Sequence, residues 1–359
     1  MVSERAAADR ALEVLVILDG ASEPLRTAPT SLERARTPML DRLAEEGTLT
    51  LLPTVPPGLP AGSETAIPGL LGWVPDAPLD RGAIEAAAHD IEVADGERAW
   101  RVDRRDREDA AATAHMLAAV LTARLPHRRG VPRHRVHHLA GHRMLVVGPD
   151  GPPTLAAELL GIELRAGLLG AELFVWPRGE IPPRVLDEET VVIGARGAAV
   201  GIARLLGART IVPPGATGRP GTDLAAKAAA AIGEIAATDG GGGWRVGQGG
   251  TSRIVVHVGA PDEAAHECDA DAKVASIEAA DALLLGPLAD ALRAHGGTLR
   301  VCPDHGCDPA TGKHDHMPVP CLDWPSVEWS YERTGMRLTE RAAAEMVVGA
   351  GPTEPAVAA

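Results

Sequence analysis

The chain has 359 residues, which is long enough to bury a large core and to form two domains. Its 35 Lys and Arg residues against 49 Asp and Glu residues give a formal net charge of −14, which argues against nucleic acid or an anionic membrane as a partner. The apolar run at residues 12–18 is too short for a signal peptide or a membrane span, so we expect a cytoplasmic protein. In that compartment the four cysteines are expected to be reduced thiols.

The amino-terminal part of the sequence predicts two strands and a serine that could act as a nucleophile. Residues 12–18 form a short run rich in β-branched side chains that ends at Asp19, and residues 48–52 predict a second strand after an amphipathic helix at 38–46. The next loop brings Ser63 to a helix start, where free N–H groups and the helix dipole favour an alkoxide or a phosphate. A serine at this place is more commonly a simple N-cap, and that alternative stays open.

The middle of the chain differs in character from about residue 90. An alanine-rich helix is predicted at 106–124, followed by a basic stretch at 124–138 and a strand over 141–147. Most of these basic side chains are expected to be solvated surface. The core pattern then returns at 191–195, and the further helices and strands that we predict lie at 201–207, 210–212, 224–235, 275–294 and 339–348. Residues 239–250 have the composition of a surface loop and lack the lysine of a phosphate-binding loop.

Three clusters of potential metal ligands lie near the carboxyl end of the chain. Asp262 and His266 are four residues apart and would share one face of a helix, and Asp304 with His305 follows an apolar run. The third cluster is 314–316. Two of the three stand where a strand should end, which is where open α/β sheets build their sites. One such cluster alone is more often a solvated surface, but three together favour a site for Mn, Zn, Mg or Fe.

Two cysteines flank the second cluster. Cys302 and Cys307 stand on either side of Asp304 and His305. They could be interpreted as zinc ligands, but small buried side chains are the better interpretation of this pair. We therefore expect the metal site to consist of carboxylates and imidazoles.

Together, these motifs resemble the cofactor-independent (2,3-bisphosphoglycerate-independent) phosphoglycerate mutases, in the shorter archaeal-type branch of the alkaline phosphatase superfamily. The stretches that carry the resemblance, in addition to the three clusters, are 17–20, 37–47, 62–64, 81–86 and 214–218. The resemblance implies an α/β fold, with an alkaline-phosphatase-like core in which a mostly parallel sheet is sandwiched by helices. The core would comprise residues 1–89 and 188–359, and a smaller inserted α+β domain, residues 90–187, would form a substrate-binding cap.

The resemblance also implies a set of site residues. Two divalent cations (Mn, Zn or Mg) would be bound, with no bisphosphoglycerate cofactor. One cation would take Asp262, His266 and His314, and the other would take Asp19, Ser63, Asp304 and His305. Ser63 would be the nucleophile that carries the phosphoryl group, and His316 has no counterpart and is expected to be exposed. The arginines that would bind the phosphate and carboxylate of the substrate are Arg143, Arg81 and Arg196.

The implied activity is phosphoryl transfer through a phosphoserine, interconverting 2-phosphoglycerate and 3-phosphoglycerate in glycolysis. One departure bears on the substrate, because Val200 stands where the family has a lysine that contacts the phosphoryl group. A paralogous mutase acting on another phosphorylated or phosphonate-bearing acid, or a phosphatase or phosphotransferase of the same superfamily, are therefore alternatives. A non-enzymatic binding protein is disfavoured because every expected ligand is present. The sequence leaves the native metal and the oligomeric state open.

Overall fold

The structure is a computed structural model that describes residues 12–26, 28–104, 134–140, 142–149, 173–238, 251–325 and 335–349. The predicted helix at 106–124, most of the basic stretch at 124–138 and the loop at 239–250 lie outside these residues. The chain divides into two compact units, one formed by Met1–Asp76 with Arg184–Ala359 and the other by Ala77–Pro183. The substrate-binding role predicted for an inserted domain over 90–187 stays a prediction. The second compact unit, Ala77–Pro183, begins and ends earlier in the chain than that predicted domain.

The strands and helices of the described residues alternate along the chain. In chain order the strands are β1 Glu13–Leu18, β2 Thr48–Leu52, β3 Glu97–Arg104, β4 Arg135–His138, β5 Arg143–Pro149, β6 Leu173–Val175, β7 Thr190–Ile193, β8 Arg209–Ile211, β9 Arg253–Val258, β10 Thr298–Cys302, β11 Gly306–Asp308, β12 Lys313–Asp315 and β13 Val319–Trp324. The helices are α1 Ser31–Arg34, α2 Pro38–Glu46, α3 Ser63–Leu70, α4 Arg81–Ala88, α5 Ala198–Leu206, α6 Leu224–Thr238, α7 Ala260–His266, α8 Ala270–Ala280, α9 Gly286–His295 and α10 Glu340–Gly349.

The first unit is built on a seven-stranded sheet in the order β2-β13-β10-β1-β9-β7-β8. Strands β10, β1, β9, β7 and β8 are parallel to one another, and β13 and β2 are antiparallel at one edge. Strands β1 and β9 are almost wholly buried, as expected for parallel strands covered on both faces. The predicted α/β fold with a mostly parallel sheet is confirmed.

Strand register places the chemistry-bearing loops at one edge of this sheet. Leu18 at the end of β1 is level with Val258 at the end of β9, and Ile17 is level with Cys302 at the end of β10. The segments that follow these three strands therefore leave the sheet side by side. This is the carboxyl edge of the sheet, where the sequence predicted a site.

The predicted helix at 275–294 is interrupted by a π-helical turn at Asp281–Leu285, which joins α8 to α9. The turn places the buried Asp281 carboxylate at the start of α2, where it accepts hydrogen bonds from the backbone N–H groups of Met39 (3.1 Å) and Leu40 (2.7 Å). Thr37, the residue before α2, makes no capping bond with its own side chain. A carboxylate distant in sequence thus caps this helix.

The second unit contains an antiparallel sheet in the order β4-β5-β3-β6, with α4 packed on β3. The packing is close because α4 presents Gly82 to the strand: a Cβ there would lie 2.2 Å from the carbonyl oxygen of Ala99. The buried Arg101 guanidinium pairs with Glu85 (2.6 Å) and Asp103 (2.9 Å) beneath this helix. In neither unit does a described helix have both the length and the apolar surface needed to cross a bilayer.

We expect Asp281→Ala to destabilise the protein. The substitution leaves the N–H groups of Met39 and Leu40 without an acceptor, at a cost of about 1–3 kcal/mol for the buried group of Leu40 and less for the half-buried group of Met39. The free energy of unfolding should fall accordingly, measured by urea denaturation. Asp290→Ala is the matched control, because Asp290 is 76% exposed and its pair with Arg293 is a surface contact. Equal midpoints for the two variants would contradict the capping role.

Candidate metal centre

Three buried carboxylates converge at the carboxyl edge of the seven-stranded sheet. Asp19 follows β1, Asp304 follows β10, and Asp262 lies in the first turn of α7, directly after β9. Their exposed fractions are 7% for Asp19, 9% for Asp262 and 0% for Asp304. Carboxylates buried this close together need positive charge nearby, because ionised groups removed from water are costly unless they are paired.

Asp19, Asp304 and His305 form the first group of potential metal ligands, with one ligand atom from each lying within 4.8 Å of the others. His305 Nε2 is 3.3 Å from Asp19 Oδ1 and 3.5 Å from Asp304 Oδ2. The other carboxylate oxygen of Asp304 accepts hydrogen bonds from the backbone N–H groups of Gly20 (3.1 Å) and His305 (3.0 Å). Oδ2 of Asp304 is thereby left facing the group.

Ser63 lies against this first group. It is the first residue of α3, and Gly62 occupies the N-cap position, so Ser63 does not act as the cap. Its hydroxyl donates to Asp19 Oδ1 (3.2 Å) and lies 3.3 Å from His305 Nε2. The structure thus brings Ser63, Asp19 and His305 together from three distant parts of the chain.

Asp262, His266, His314 and Cys307 form the second group, again with one ligand atom from each within 4.8 Å of the others. His266 Nε2 is 3.3 Å from Asp262 Oδ2, and His314 Nε2 is 3.2 Å from Asp262 Oδ1. The two imidazole Nε2 atoms are 2.9 Å apart. Asp262 and His266 share a helix face as the spacing predicted, and the thiol of Cys307 is an addition that the sequence interpretation had set aside.

The histidine side chains are oriented for metal binding. Nδ1 of His305 lies 3.2 Å from the carbonyl of Gly306, and Nδ1 of His266 lies 2.9 Å from that of Gly312. Nδ1 of His314 lies 3.0 Å from the carbonyl oxygen of Ala61. A carbonyl only accepts, so Nδ1 is the donor in each ring, and Nε2 faces the group, where it would offer its lone pair to a cation once any proton on it has left.

The buried polar atoms fit a cation at each position. Asp304 Oδ2 is buried and accepts no hydrogen bond, and the buried Asp262 Oδ1 has only the Nε2 atom of His314 near it, at 3.2 Å. Buried polar atoms in proteins are normally paired, so orphaned oxygens beside imidazole nitrogens indicate a missing ligand. Carboxylate oxygens and neutral imidazoles are donors that bind divalent ions of the Mn, Zn and Mg kind.

The pKa values of the first group reflect crowded charge. Burial and the Asp262 carboxylate act to raise the pKa of Asp19, but contacts with His257 and His305 outweigh them and lower it to about 2. Burial, with the Asp19 carboxylate, raises the pKa of Asp304 to about 6. Burial acts to lower the pKa of His305, but the carboxylates of Asp304 and Asp19 raise it to about 10. Without a metal ion, His305 therefore carries the positive charge that the carboxylates require.

Three buried residues near the site were missed by the sequence interpretation. His257 interrupts the apolar run of β9, and its Nε2 lies 3.0 Å from Asp19 Oδ2. The chain has three lysines, and two of them, Lys227 and Lys273, are fully buried. Two features of the sequence could have indicated these residues. One is a histidine within an otherwise apolar strand, and the other is the presence of lysines in a chain whose basic residues are nearly all arginine.

Both lysines bind backbone at the edge of the site. Lys227 Nζ donates to the carbonyl of His257 (2.9 Å), and burial lowers its pKa to about 8. Lys273 Nζ donates to the carbonyls of Cys307 (2.6 Å) and Ser22 (3.3 Å). These ammonium groups bind the end of β9 and the segments that follow β1 and β10, and they place positive charge near the Asp19 and Asp262 carboxylates.

The other predicted site residues are distributed between the two units. Arg196 follows β7 at the carboxyl edge of the large sheet and is exposed. Arg81 begins α4 in the second unit, where its guanidinium lies 4.8 Å from the ring centre of Trp176, and Arg143 begins β5 in the same unit. His316 is exposed, and its Nε2 lies 2.9 Å from the carbonyl of Leu59.

Comparison with known families is consistent with this geometry. Residues 12–332 match the family described as the metalloenzyme superfamily. The chain belongs to this superfamily. The prediction that the chain is an enzyme is confirmed at this level, and the orphaned ligand atoms agree with a metal-dependent activity.

Individual relatives of this metalloenzyme carry a narrower name. This chain is 28% identical over 366 residues to "2,3-bisphosphoglycerate-independent phosphoglycerate mutase 2" of Methanothermobacter thermautotrophicus, and the alignment covers 86% of this chain and 87% of the relative. It is 29% identical over 375 residues to "2,3-bisphosphoglycerate-independent phosphoglycerate mutase 1" of Archaeoglobus fulgidus, covering 86% and 88%. The predicted resemblance to cofactor-independent phosphoglycerate mutases is therefore confirmed.

Solved structures share the fold of this metalloenzyme. A protein from Pyrococcus horikoshii aligns with a TM-score of 0.72 and 23% identity, covering 93% of this chain and 92% of that one. The cofactor-independent phosphoglycerate mutase from Thermoplasma acidophilum aligns with a TM-score of 0.52 and 16% identity, covering 93% and 94%. At these identities the likeness concerns the fold.

We expect divalent cations to bind more tightly as the pH rises. His305, with a pKa of about 10, is protonated in the ion-free protein at neutral pH and must lose that proton to become a ligand. Each proton released should raise the affinity for Zn²⁺ or Mn²⁺ about tenfold per pH unit. Titration calorimetry in two buffers of different ionisation enthalpy measures this release. His295→Gln, which alters an exposed histidine of α9, should leave it unchanged, and a binding heat independent of the buffer would contradict the prediction.

Proposed function

We propose that this metalloenzyme transfers a phosphoryl group through a phosphoserine at Ser63, and that its substrate is a small phosphorylated carboxylic acid. The reaction that the named relatives support best is the interconversion of 2-phosphoglycerate and 3-phosphoglycerate without a bisphosphoglycerate cofactor. The observation that carries the proposal is the contact of the Ser63 hydroxyl with Asp19 and His305, at the start of α3.

The site residues have distinct roles in this proposal. Asp262, His266 and His314 hold one divalent cation, and Asp19, Asp304 and His305 hold a second, with Ser63 beside it. The cations supply positive charge for the serine oxygen and for the phosphoryl oxygens. Ser63 is the first residue of α3, and the positive end of the helix dipole favours negative charge at that position.

Ser63 acts as the carrier of the group. Its Oγ forms a bond to phosphorus as the bond from phosphorus to the substrate oxygen breaks, and that substrate oxygen takes up a proton. The second transfer reverses these changes on a different hydroxyl of the same acid, so that atoms balance and Ser63 is regenerated. Asp19 orients the Ser63 hydroxyl through the 3.2 Å hydrogen bond. Arg81, Arg143 and Arg196 are proposed to bind the substrate carboxylate and phosphate, because a guanidinium pairs with either oxyanion at two points.

A direct assay tests the reaction. Metal-loaded protein incubated with 3-phosphoglycerate, with no added bisphosphoglycerate, should form 2-phosphoglycerate, detected by coupling to enolase. Phosphate release without isomer formation would instead indicate a phosphatase of the same superfamily. Absence of both products would refute the proposal for this substrate.

Ser63→Ala should lower the mutase rate by at least about a thousandfold, because removing a catalytic nucleophile is among the largest single-residue losses known for enzymes. Ser276→Ala is the matched control: the Ser276 hydroxyl donates to the carbonyl of Ala272 in α8 (2.8 Å) and has no part in the site. Mass spectrometry of peptides after exposure to substrate should find phosphate on Ser63. Phosphate on another residue would exclude Ser63 as the carrier.

A second candidate substrate class is favoured by Val200. This side chain is fully buried in α5 and packs beside Gly194, as does His257, at the carboxyl edge of the sheet. By resemblance, a lysine that contacts the phosphoryl group belongs at this position, and its loss could cost about a hundredfold in rate. Lys227 does not replace it at the surface, because its Nζ is fully buried against the carbonyl of His257.

The second candidate is therefore a mutase for another phosphorylated or phosphonate-bearing carboxylic acid. Its test is a comparison of kcat/KM between 3-phosphoglycerate and a panel of such acids. A higher kcat/KM for another acid, with Ser63 still phosphorylated, supports this alternative. If 3-phosphoglycerate has the highest kcat/KM of the panel, this alternative is rejected.

A further inference from the structure

The ribbon formed by β11 and β12 presents a thiol to the second group of ligands. Cys307 in β11 is directly opposite His314 in β12, in antiparallel register. Residues that face each other across two antiparallel strands project their side chains to the same face of the ribbon. Cys307 and His314 therefore point the same way, and Cys307 is fully buried.

The position of this thiol fits a four-ligand site. Sγ of Cys307, a carboxylate oxygen of Asp262 and one ring nitrogen each from His266 and His314 all lie within 4.8 Å of one another. In a tetrahedral site with bonds of about 2.0–2.3 Å, the ligand atoms are about 3.3–3.8 Å apart. The four side chains need only a small contraction to reach that geometry.

A second observation points to a cation at the same place. Asp262 Oδ1 is buried without a hydrogen-bond partner, although His314 Nε2 lies 3.2 Å away. His266 and His314 direct their Nε2 atoms at each other across 2.9 Å, with both Nδ1 atoms engaged by carbonyl groups. Two facing Nε2 atoms at this distance must have a proton or a cation between them, and a cation would engage both lone pairs and the Asp262 carboxylate together.

The backbone of Cys307 is held in position independently of the thiol. Its N–H donates to the carbonyl of Ser22 (2.8 Å), and its carbonyl accepts from Lys273 Nζ (2.6 Å). The N–H of Cys307 is bonded to the loop after β1, and its carbonyl is bonded to Lys273 of α8. With both backbone groups fixed, the Cys307 side chain is directed to the same face of the ribbon as His314. The ribbon thus holds Sγ in place before any ion binds, as a metal ligand requires.

We propose that Cys307 is the fourth protein ligand of the cation bound by Asp262, His266 and His314. With one thiolate, two imidazoles and one carboxylate, this position selects Zn²⁺ or Co²⁺ over Mn²⁺ and Mg²⁺, because a soft sulfur ligand favours borderline-soft ions. The thiol proton leaves to solvent when the ion binds. The inference rests on the second cation site of the proposed function, and is independent of Ser63 and of the substrate.

Cobalt is the probe for this ligand. Protein freed of metal and then loaded with Co²⁺ should show a sulfur-to-cobalt charge-transfer band in the near ultraviolet, and Cys307→Ser should lose it while circular dichroism stays unchanged. Cys321→Ser is the matched control, because Cys321 is also buried, in β13, and should keep the band. The preference for Zn²⁺ over Mn²⁺ in competition should fall by at least about tenfold in Cys307→Ser.

Unmodified protein provides a test that does not depend on folding of a variant. X-ray absorption of the zinc-loaded chain should show a sulfur neighbour at about 2.3 Å, in a ratio of about one sulfur to two zinc ions when both sites are filled. Bound zinc with only nitrogen and oxygen neighbours, or a cobalt band that persists in Cys307→Ser, overturns the role of Cys307 and leaves the proposed phosphoryl transfer standing. Absence of any cobalt or zinc binding overturns both the ligand and the metal site.

Discussion

Repulsion among three buried carboxylates is the constraint on which this site depends. Asp19, Asp262 and Asp304 follow neighbouring parallel strands at the same edge of the sheet, where all three side chains are largely buried. Charges of one sign at such distances repel strongly where the effective dielectric constant is low. Positive charge from the histidines and the buried lysines, and from any cation bound there, therefore offsets this repulsion where the three loops meet.

Backbone bonds and close packing keep the loops together. Asp304 accepts from the N–H of Gly20, and Lys273 binds the carbonyls of Ser22 and Cys307, so the segments after β1 and β10 are tied to each other and to α8. Gly20 has φ +59°, and a Cβ there would lie 2.5 Å from Asp262 Oδ1. Only glycine gives both the backbone conformation and the room for the carboxylate.

The two groups of ligands differ in chemistry. The group with Asp19 and His305 has the Ser63 hydroxyl beside it and is made only of hard oxygen and imidazole donors. The group with Asp262 has the thiol of Cys307, the exposed imidazole of His266 and the half-buried imidazole of His314. The two groups would therefore bind ions with different preferences, the first favouring hard cations and the second favouring borderline-soft ones.

The residue pattern by itself indicated the strands that end at the site, Ser63 at a helix start and the three ligand clusters, because apolar runs followed by polar residues are local patterns. The mostly parallel arrangement of the sheet was implied by the family resemblance. The residue pattern also indicated that Asp262 and His266 share a helix face. Only the tertiary structure decided the rest: the role of Asp281 as a helix cap, the burial of Lys227 and Lys273, the approach of His257 to Asp19, and the side of the ribbon on which Cys307 lies. Each of these depends on strand order and register, which join residues distant in the chain and leave no mark on local spacing.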